Sequence, residues 1–233
     1  MSVYDYNQTM LNQQFTTEYN YELGMDEAGR GPLFGRLYVA GAILPKGNDF
    51  HHDWMKDSKK FHSKKKIKDM SDYIKENAIA WSIQYVECDV IDTINIRESV
   101  HKGMHNVVKD VLEKSTQINK ENVFLLIDGN HFKPYSYYNE ETEEFRTIPH
   151  QTVEGGDNKY THIAAASILA KVARDEYIKE LCTQYPQLNE RYGIEKNQGY
   201  GTKQHLEGIL EHGISQWHRK SYGRCKESYL NAL

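Results

Sequence analysis

Cysteine is scarce in this chain. The three present among 233 residues, Cys88, Cys182 and Cys225, are odd in number and show no C-x-x-C spacing. That excludes a disulfide framework or a zinc site built on thiolates and leaves ordinary reduced thiols. Long apolar runs are missing too: nothing approaches the roughly 18–20 residues that cross a bilayer, so no membrane partner is expected. The opening stretch MSVYDYNQTMLNQQF has neither a basic segment nor an apolar one, which gives no secretory signal and a cytoplasmic expectation. No repeat or low-complexity linker divides the chain. With 39% hydrophobic residues it is expected to form one domain over 1–233, with an N-terminal arm at 1–18 and a helical C-terminal extension at about 202–233.

An excess of positive charge is also lacking. Twenty-nine basic and 33 acidic residues leave a net charge of −4, where a basic domain would point more readily to nucleic acid. The distribution is uneven. DSKKFHSKKKIK carries Lys59, Lys60, Lys64, Lys65, Lys66 and Lys68, and WHRKSYGRCK carries Arg219, Lys220, Arg224 and Lys226. Acid gathers at Glu140, Glu141, Glu143 and Glu144. A lysine run by itself is more often a solvated helix face than a phosphate site, so this polarity permits a nucleic-acid partner without diagnosing one.

Apolar runs predict strands at Asn20–Glu27, Arg36–Leu44 and Ala78–Glu87, and a buried strand in NVFLLIDG that stops at Asp128. Helices are expected at Ser63–Asn77 with Ser63 as N-cap, from Val90 to about Ser115, and at Lys203–Glu211 closed by Gly213. From His162 a face of Ile163, Ala166, Ala170, Ala173, Tyr177 and Leu181 recurs at helical spacing. Hairpin-like early strands followed by strand–helix alternation predict a mixed α/β sheet. Phe132–Val153 reads as an inserted surface hairpin with an acidic tip.

YELGMDEAGRGP places the adjacent carboxylates Asp26 and Glu27 between an apolar strand and a Gly-Arg-Gly turn. Alternation along a strand sends one of two neighbours inward, and burying an unpaired carboxylate calls for a cation. Alone, the pair fits a solvated acidic turn equally well. Asp128 at the end of a second strand gives it a companion at one sheet edge. Hard divalent ions take such oxygen ligands, and two of them can drive phosphodiester cleavage. Asp157, in a Gly-Gly turn, and Asp175, deep in a helical pattern, compete as fourth ligand. If the interval is mostly helix they lie roughly 25 Å apart and cannot share one cluster. The turn favours Asp157, and Asp175 reads as a salt-bridging residue. His101 and His105 stand four apart, a spacing that can bind zinc, but no third ligand accompanies them and they read as helix-face histidines.

GMDEAGRGPLFG, DSKKF, LLIDGN, IAAASILAKVARD and GYGTKQHLEGILEHGISQWHRKSY stand in the order found in ribonuclease HII, the type 2 ribonuclease H family, and the resemblance runs from Tyr21 to Tyr222. It implies an RNase H-like α/β fold, a mixed β-sheet flanked by helices. It also implies a monomeric, Mg²⁺- or Mn²⁺-dependent endonuclease that cuts the RNA strand of RNA–DNA hybrids. Such enzymes nick DNA duplexes on the 5′ side of a lone ribonucleotide, leaving 3′-hydroxyl and 5′-phosphate ends. Two alternatives are a ribonuclease H acting only on longer hybrids and an inactive nucleic-acid-binding homologue. By motif, the metal-site acids fall on Asp26, Glu27, Asp128 and Asp157. The backbone of Gly29, Arg30 and Gly31 meets the ribose 2′-hydroxyl, the group that separates RNA from DNA. Tyr200 matches the tyrosine that senses the RNA–DNA junction, and Lys59 and Lys60 match a phosphate-contacting segment. Arg36 stands where the family commonly has proline, and Gly155 where a lysine often precedes Gly-Asp. Ribonuclease HIII is a poorer match, lacking the Gly-Arg-Gly run.

Overall fold

The first strand sets the plan. In β1, Tyr21–Ala28, Leu23 and Met25 are buried against one face while Glu22, Gly24 and Asp26 turn to the other, the two-residue alternation of a strand covered on both sides. The computed structural model describes residues 10–231. β1 pairs antiparallel with β2, Leu37–Ile43, which pairs antiparallel with β3, Ala80–Val86. On its other side β1 runs parallel to β4, Val123–Asp128. β4 runs parallel to a later strand, His150–Val153, which completes a five-stranded mixed sheet. That edge strand is short and polar, so the sequence pattern alone merges it with the preceding hairpin. The hairpin itself is β5, Ser136–Asn139, with β6, Glu144–Thr147, a separate two-stranded ribbon, so His150–Val153 is β7.

Helices cover both faces. α1, Lys64–Asn77, begins where the Ser63 hydroxyl accepts the Lys66 amide. α2, Cys88–Lys114, buries Met104, Val107, Val108 and Val111 against Leu23, Met25 and Val39. α3, Thr161–Gln184, lies on the opposite face, with Ala164, Ala165 and Ile168 against Ala40 and Ala42. The sequence showed a single apolar stripe in α3, yet every residue from Thr161 to Ala170 is buried, because the sheet, α1 and the chain before β1 enclose its first turns. Gly24 makes the close approach possible: a Cβ there would sit 2.4 Å from the His162 carbonyl carbon.

Two short helices that the sequence reading did not separate, α4 at Gln187–Tyr192 and α5 at Ile194–Asn197, lead to α6, Lys203–His212, capped by Thr202 and closed by Gly213 at φ 73°. The remaining C-terminal chain returns to the sheet, bridging Phe34 to His218. The described part of the N-terminal arm is docked, with the Phe15 and Thr16 amides donating to buried Glu22; its first nine residues lie outside the described residues. All three cysteines are buried and free.

Candidate active site

Asp26 and Glu27 end β1 on opposite faces of the sheet. Asp26 is 6% exposed; its Oδ1 accepts the Glu27 amide at 2.7 Å, and the nearby Ser167 hydroxyl of α3, paired with Ser58 at 3.0 Å, favours its charged form. Glu27 lies on the α2 face, where its Oε1 is 3.2 Å from Arg30 Nη1. Asp128 ends the neighbouring parallel strand and accepts the Gly156 amide at 2.7 Å. That bond ties it to a 3₁₀ turn, Gly156–Asn158, which presents Asp157 at 5% exposure. Gly155 enters this turn at φ 61°, a left-handed geometry that glycine adopts freely.

The electrostatics show four acids crowding one region. Burial raises the Asp26 carboxyl well above the usual carboxylate range, and Glu27 and Asp128 push it further. Glu27 is raised by burial, with Arg30 working against the shift and Asp128 adding to it. Asp157 is raised by burial, then by Asp57 and Asp128. Lys59, the nearest lysine, stands 3.8 Å from Asp157 Oδ2. Burial opposes its charge, but Asp57, Asp157, Asp26 and Asp128 outweigh that and raise it. Negative charge is under-compensated here. Among the described residues, no group of three or more histidine, cysteine, aspartate or glutamate side chains is gathered tightly enough to hold an ion as it stands. The carboxylates share a field while remaining splayed.

A hollow of about 450 Å³ runs alongside, lined by Asp26, Glu27, Asp128, Lys59, the Gly29–Gly31 turn and Tyr200. Tyr200 is 51% exposed and stands next to Gly31, its ring carbon 3.5 Å from where a Cβ on that glycine would be. Lys60 is exposed and lies outside this lining. Asp175 pairs with Lys171 along α3, as its position suggested. His101 is buried, and His105 Nε2 meets the Lys133 carbonyl at 2.7 Å. Arg36 binds Glu87 Oε1 at 2.6 Å and stacks over Tyr85 and Tyr177, which gives the residue in the proline position a packing role.

Two arginines that sequence reasoning missed hold the turn from behind. Arg219 is fully buried and donates to the carbonyls of Gly29 at 2.6 Å, Arg30 at 3.0 Å and Gly35 at 3.0 Å. In the sequence it belongs to a basic tail; in the fold it fixes the direction in which the Gly29 and Arg30 peptides face. Arg174 donates to the Gln198 carbonyl at 2.8 Å, linking α3 to the segment before Tyr200. Its Nε would be 2.4 Å from a Cβ on Gly29, whose φ of 99° already favours glycine. Asp57 is a further miss. Burial opposes its charge, yet the Lys59 amide and the Asn158 side chain hold its carboxyl below the usual range, so it carries fixed negative charge beside Asp157. Its only signal in the sequence was its place at the head of DSKKF.

Comparison with known proteins agrees over nearly the whole chain. The family model for Ribonuclease HII matches residues 23–225. A ribonuclease HII from Parabacteroides distasonis is 42% identical over 201 residues, covering 86% of this chain and 89% of that one. One from Bacteroides thetaiotaomicron is 40% identical over 210 residues, covering 90% and 93%. Among solved structures, the ribonuclease H2 of Pyrococcus horikoshii superposes with a TM-score of 0.66 over 89% of this chain and 96% of its own, at 19% identity, a likeness of fold. The chain therefore belongs to the ribonuclease HII family, and is a type 2 ribonuclease H, a divalent-metal-dependent endonuclease that hydrolyses the RNA strand of RNA–DNA hybrids.

Proposed function

We propose that this enzyme nicks DNA duplexes on the 5′ side of an embedded ribonucleotide, with Asp26, Glu27, Asp128 and Asp157 as the ligands of Mg²⁺ or Mn²⁺. The observation that carries the reading is the accumulation of buried, mutually repelling carboxylates beside a turn that exposes backbone. Oxygen-only donors with unmet negative charge fit a hard divalent ion, and not a soft one. Held by these four acids, a pair of such ions would supply activation of the attacking water and stabilisation of the departing 3′-oxygen, which fits 3′-hydroxyl and 5′-phosphate ends.

The chain's own residues do the selecting. Gly29, Arg30 and Gly31 present main chain to the hollow, and the two glycines carry no Cβ, so a ribose 2′-hydroxyl can approach and hydrogen-bond. Arg219 keeps those peptides oriented. Tyr200 offers a ring face beside the turn for the next sugar, and its exposure leaves it free to engage. Lys59 faces the phosphate that lies over the acids, and Lys60 extends the positive charge along the flanking surface.

The test is a labelled DNA duplex containing one ribonucleotide, incubated with Mg²⁺ or Mn²⁺. A single nick 5′ of the ribonucleotide, lost in Asp128→Asn, supports the reading. Cleavage confined to long hybrids would replace it with a ribonuclease H that ignores isolated ribonucleotides, and binding without product would replace it with an inactive homologue.

A further inference from the structure

A second hollow, of about 410 Å³, continues past the acids: it shares Glu27, Arg30 and Asp128 with the first and adds Arg97, His101 and His131. Nothing in the reading above uses it. Its architecture begins at Asn95, which interrupts α2 with a positive-φ, extended backbone at φ 67° and ψ 167°. The Asn95 Oδ1 accepts the amides of Arg97 at 3.0 Å and Glu98 at 3.2 Å, so the chain restarts as a capped helix whose first turn borders the hollow. Such a backbone is one that non-glycine residues rarely adopt. Strain of this kind is retained where it places something useful.

What it places is a cation. Arg97 is exposed at the mouth of the hollow and has no ion pair among the described residues. One helical turn on, His101 is 5% exposed and its Nδ1 has no hydrogen-bond partner; the nearest acid, Glu98, is 3.8 Å away. Buried polar atoms without partners are rare in native proteins. His131 packs edge-on against the same imidazole with ring centroids 5.0 Å apart. Beyond the inner rim of Glu27 and Asp128, the charged and aromatic part of the wall is guanidinium and imidazole at a helix start, with Val100, Met104 and Asn130 completing it.

We propose that this hollow seats a backbone phosphate of the bound nucleic acid, held by the Arg97 guanidinium with Arg30 and His131 beside it. The proposal rests on the reading of the acids as the cleavage centre. A phosphodiester suits the wall because its oxygens accept from guanidinium in bidentate fashion and a helix start favours negative charge. With the ribonucleotide on the Gly31–Tyr200 side and the cut 5′ of it, the phosphate comes from the strand just 5′ of the cut or from the complementary strand. Both sources present the same chemistry.

The experiment measures cleavage of the single-ribonucleotide duplex by wild type, Arg97→Ala and Arg97→Lys across a salt series. It is repeated on duplexes carrying uncharged methylphosphonate linkages at either candidate position. Arg97→Ala is expected to raise KM about tenfold. It should also flatten the dependence of log(kcat/KM) on log salt by about one unit, with much of that slope restored in Arg97→Lys. One of the two methylphosphonate duplexes should impair wild type and leave Arg97→Ala no worse, which identifies the strand. Wild-type KM and salt slope in Arg97→Ala, or wild type indifferent to both modified duplexes, would overturn the proposal. The methylphosphonate arm uses wild type and does not depend on the variant folding. Should wild type fail to cut the unmodified duplex, the cleavage reading would fall instead, a separate outcome.

Discussion

Asp26→Asn keeps the size of the side chain and removes its charge, so it separates the stability of the site from its chemistry. Asp26 is 6% exposed, and the Glu27 amide at 2.7 Å meets only part of its demand. An incompletely paired buried polar group costs about 1–3 kcal/mol, and asparagine retains an acceptor for the Glu27 amide. The variant should therefore gain about 1–2 kcal/mol at pH 7, a rise in Tm of about 2–8 °C for a chain of this size. The sign follows from linkage. Burial first, then Glu27 and Asp128, raise the folded pKa above its ordinary 3.8, so the folded state holds a proton that the unfolded state has lost. Stability thus falls as pH rises from about 3.8 through the folded pKa, and the penalty grows over that range. The advantage of Asp26→Asn should shrink toward pH 4. Mn²⁺ should reverse the order: at about 100 times its Kd a ligand adds about 2.7 kcal/mol to whichever protein binds it, and wild type should bind it better. The assay is thermal unfolding at pH 7 and pH 4, with and without Mn²⁺, beside a cleavage assay. An Asp26→Asn protein less stable than wild type at pH 7 without metal, or a gap that widens at pH 4, would refute the reasoning.

Arg219→Ala leaves three carbonyl acceptors behind the Gly29–Arg30 turn without their donor and should cost about 3–5 kcal/mol, read from the urea midpoint; an unchanged midpoint would remove Arg219 from the scaffold. Tyr200→Ala, at a half-exposed position, should leave Tm within about 1 °C while lowering cleavage at a single ribonucleotide more than it weakens duplex binding; equal losses would reassign the tyrosine to general affinity. Burial depresses His162 to about 4 and His218 to about 3. In the unfolded chain both would protonate near 6.5, so this contribution is complete above that pH and is lost as pH falls through the range down to about 4 and 3. By pH 4.5 each should cost about 2–3 kcal/mol, and unfolding there should take up about two protons at these sites; imidazole signals titrating near 6.5 in the folded protein would contradict this.

The strands that carry the acids were legible because each is an apolar run that stops at a carboxylate, and β-alternation already separates Asp26 from Glu27. The choice of Asp157 over Asp175 needed only helical rise, and the Lys171 pair accounts for Asp175. What stayed hidden depends on where the chain returns in space. Arg219 reads as one member of a basic tail, and nothing local reveals that it is buried against carbonyls some 184 to 190 positions away. β7 is four residues long and polar, and pairs through its backbone with β4, so it carries no apolar signature. The break at Asn95 is silent as well: an asparagine within a helical pattern does not announce that the backbone leaves the helix there. Asp57 was passed over because DSKKF displays its lysines, whereas the fold sets its carboxylate against Asn158 and the Lys59 amide.

The central claim is that four acids distant in sequence form one divalent-ion site beside the Gly29–Gly31 turn. Crystals grown with Mn²⁺ and measured for anomalous scattering test it most directly. Density bounded by Asp26, Glu27, Asp128 and Asp157, and absent from crystals of Asp26→Asn, is the expected result. Manganese bound elsewhere, with those four carboxylates still splayed, would contradict it.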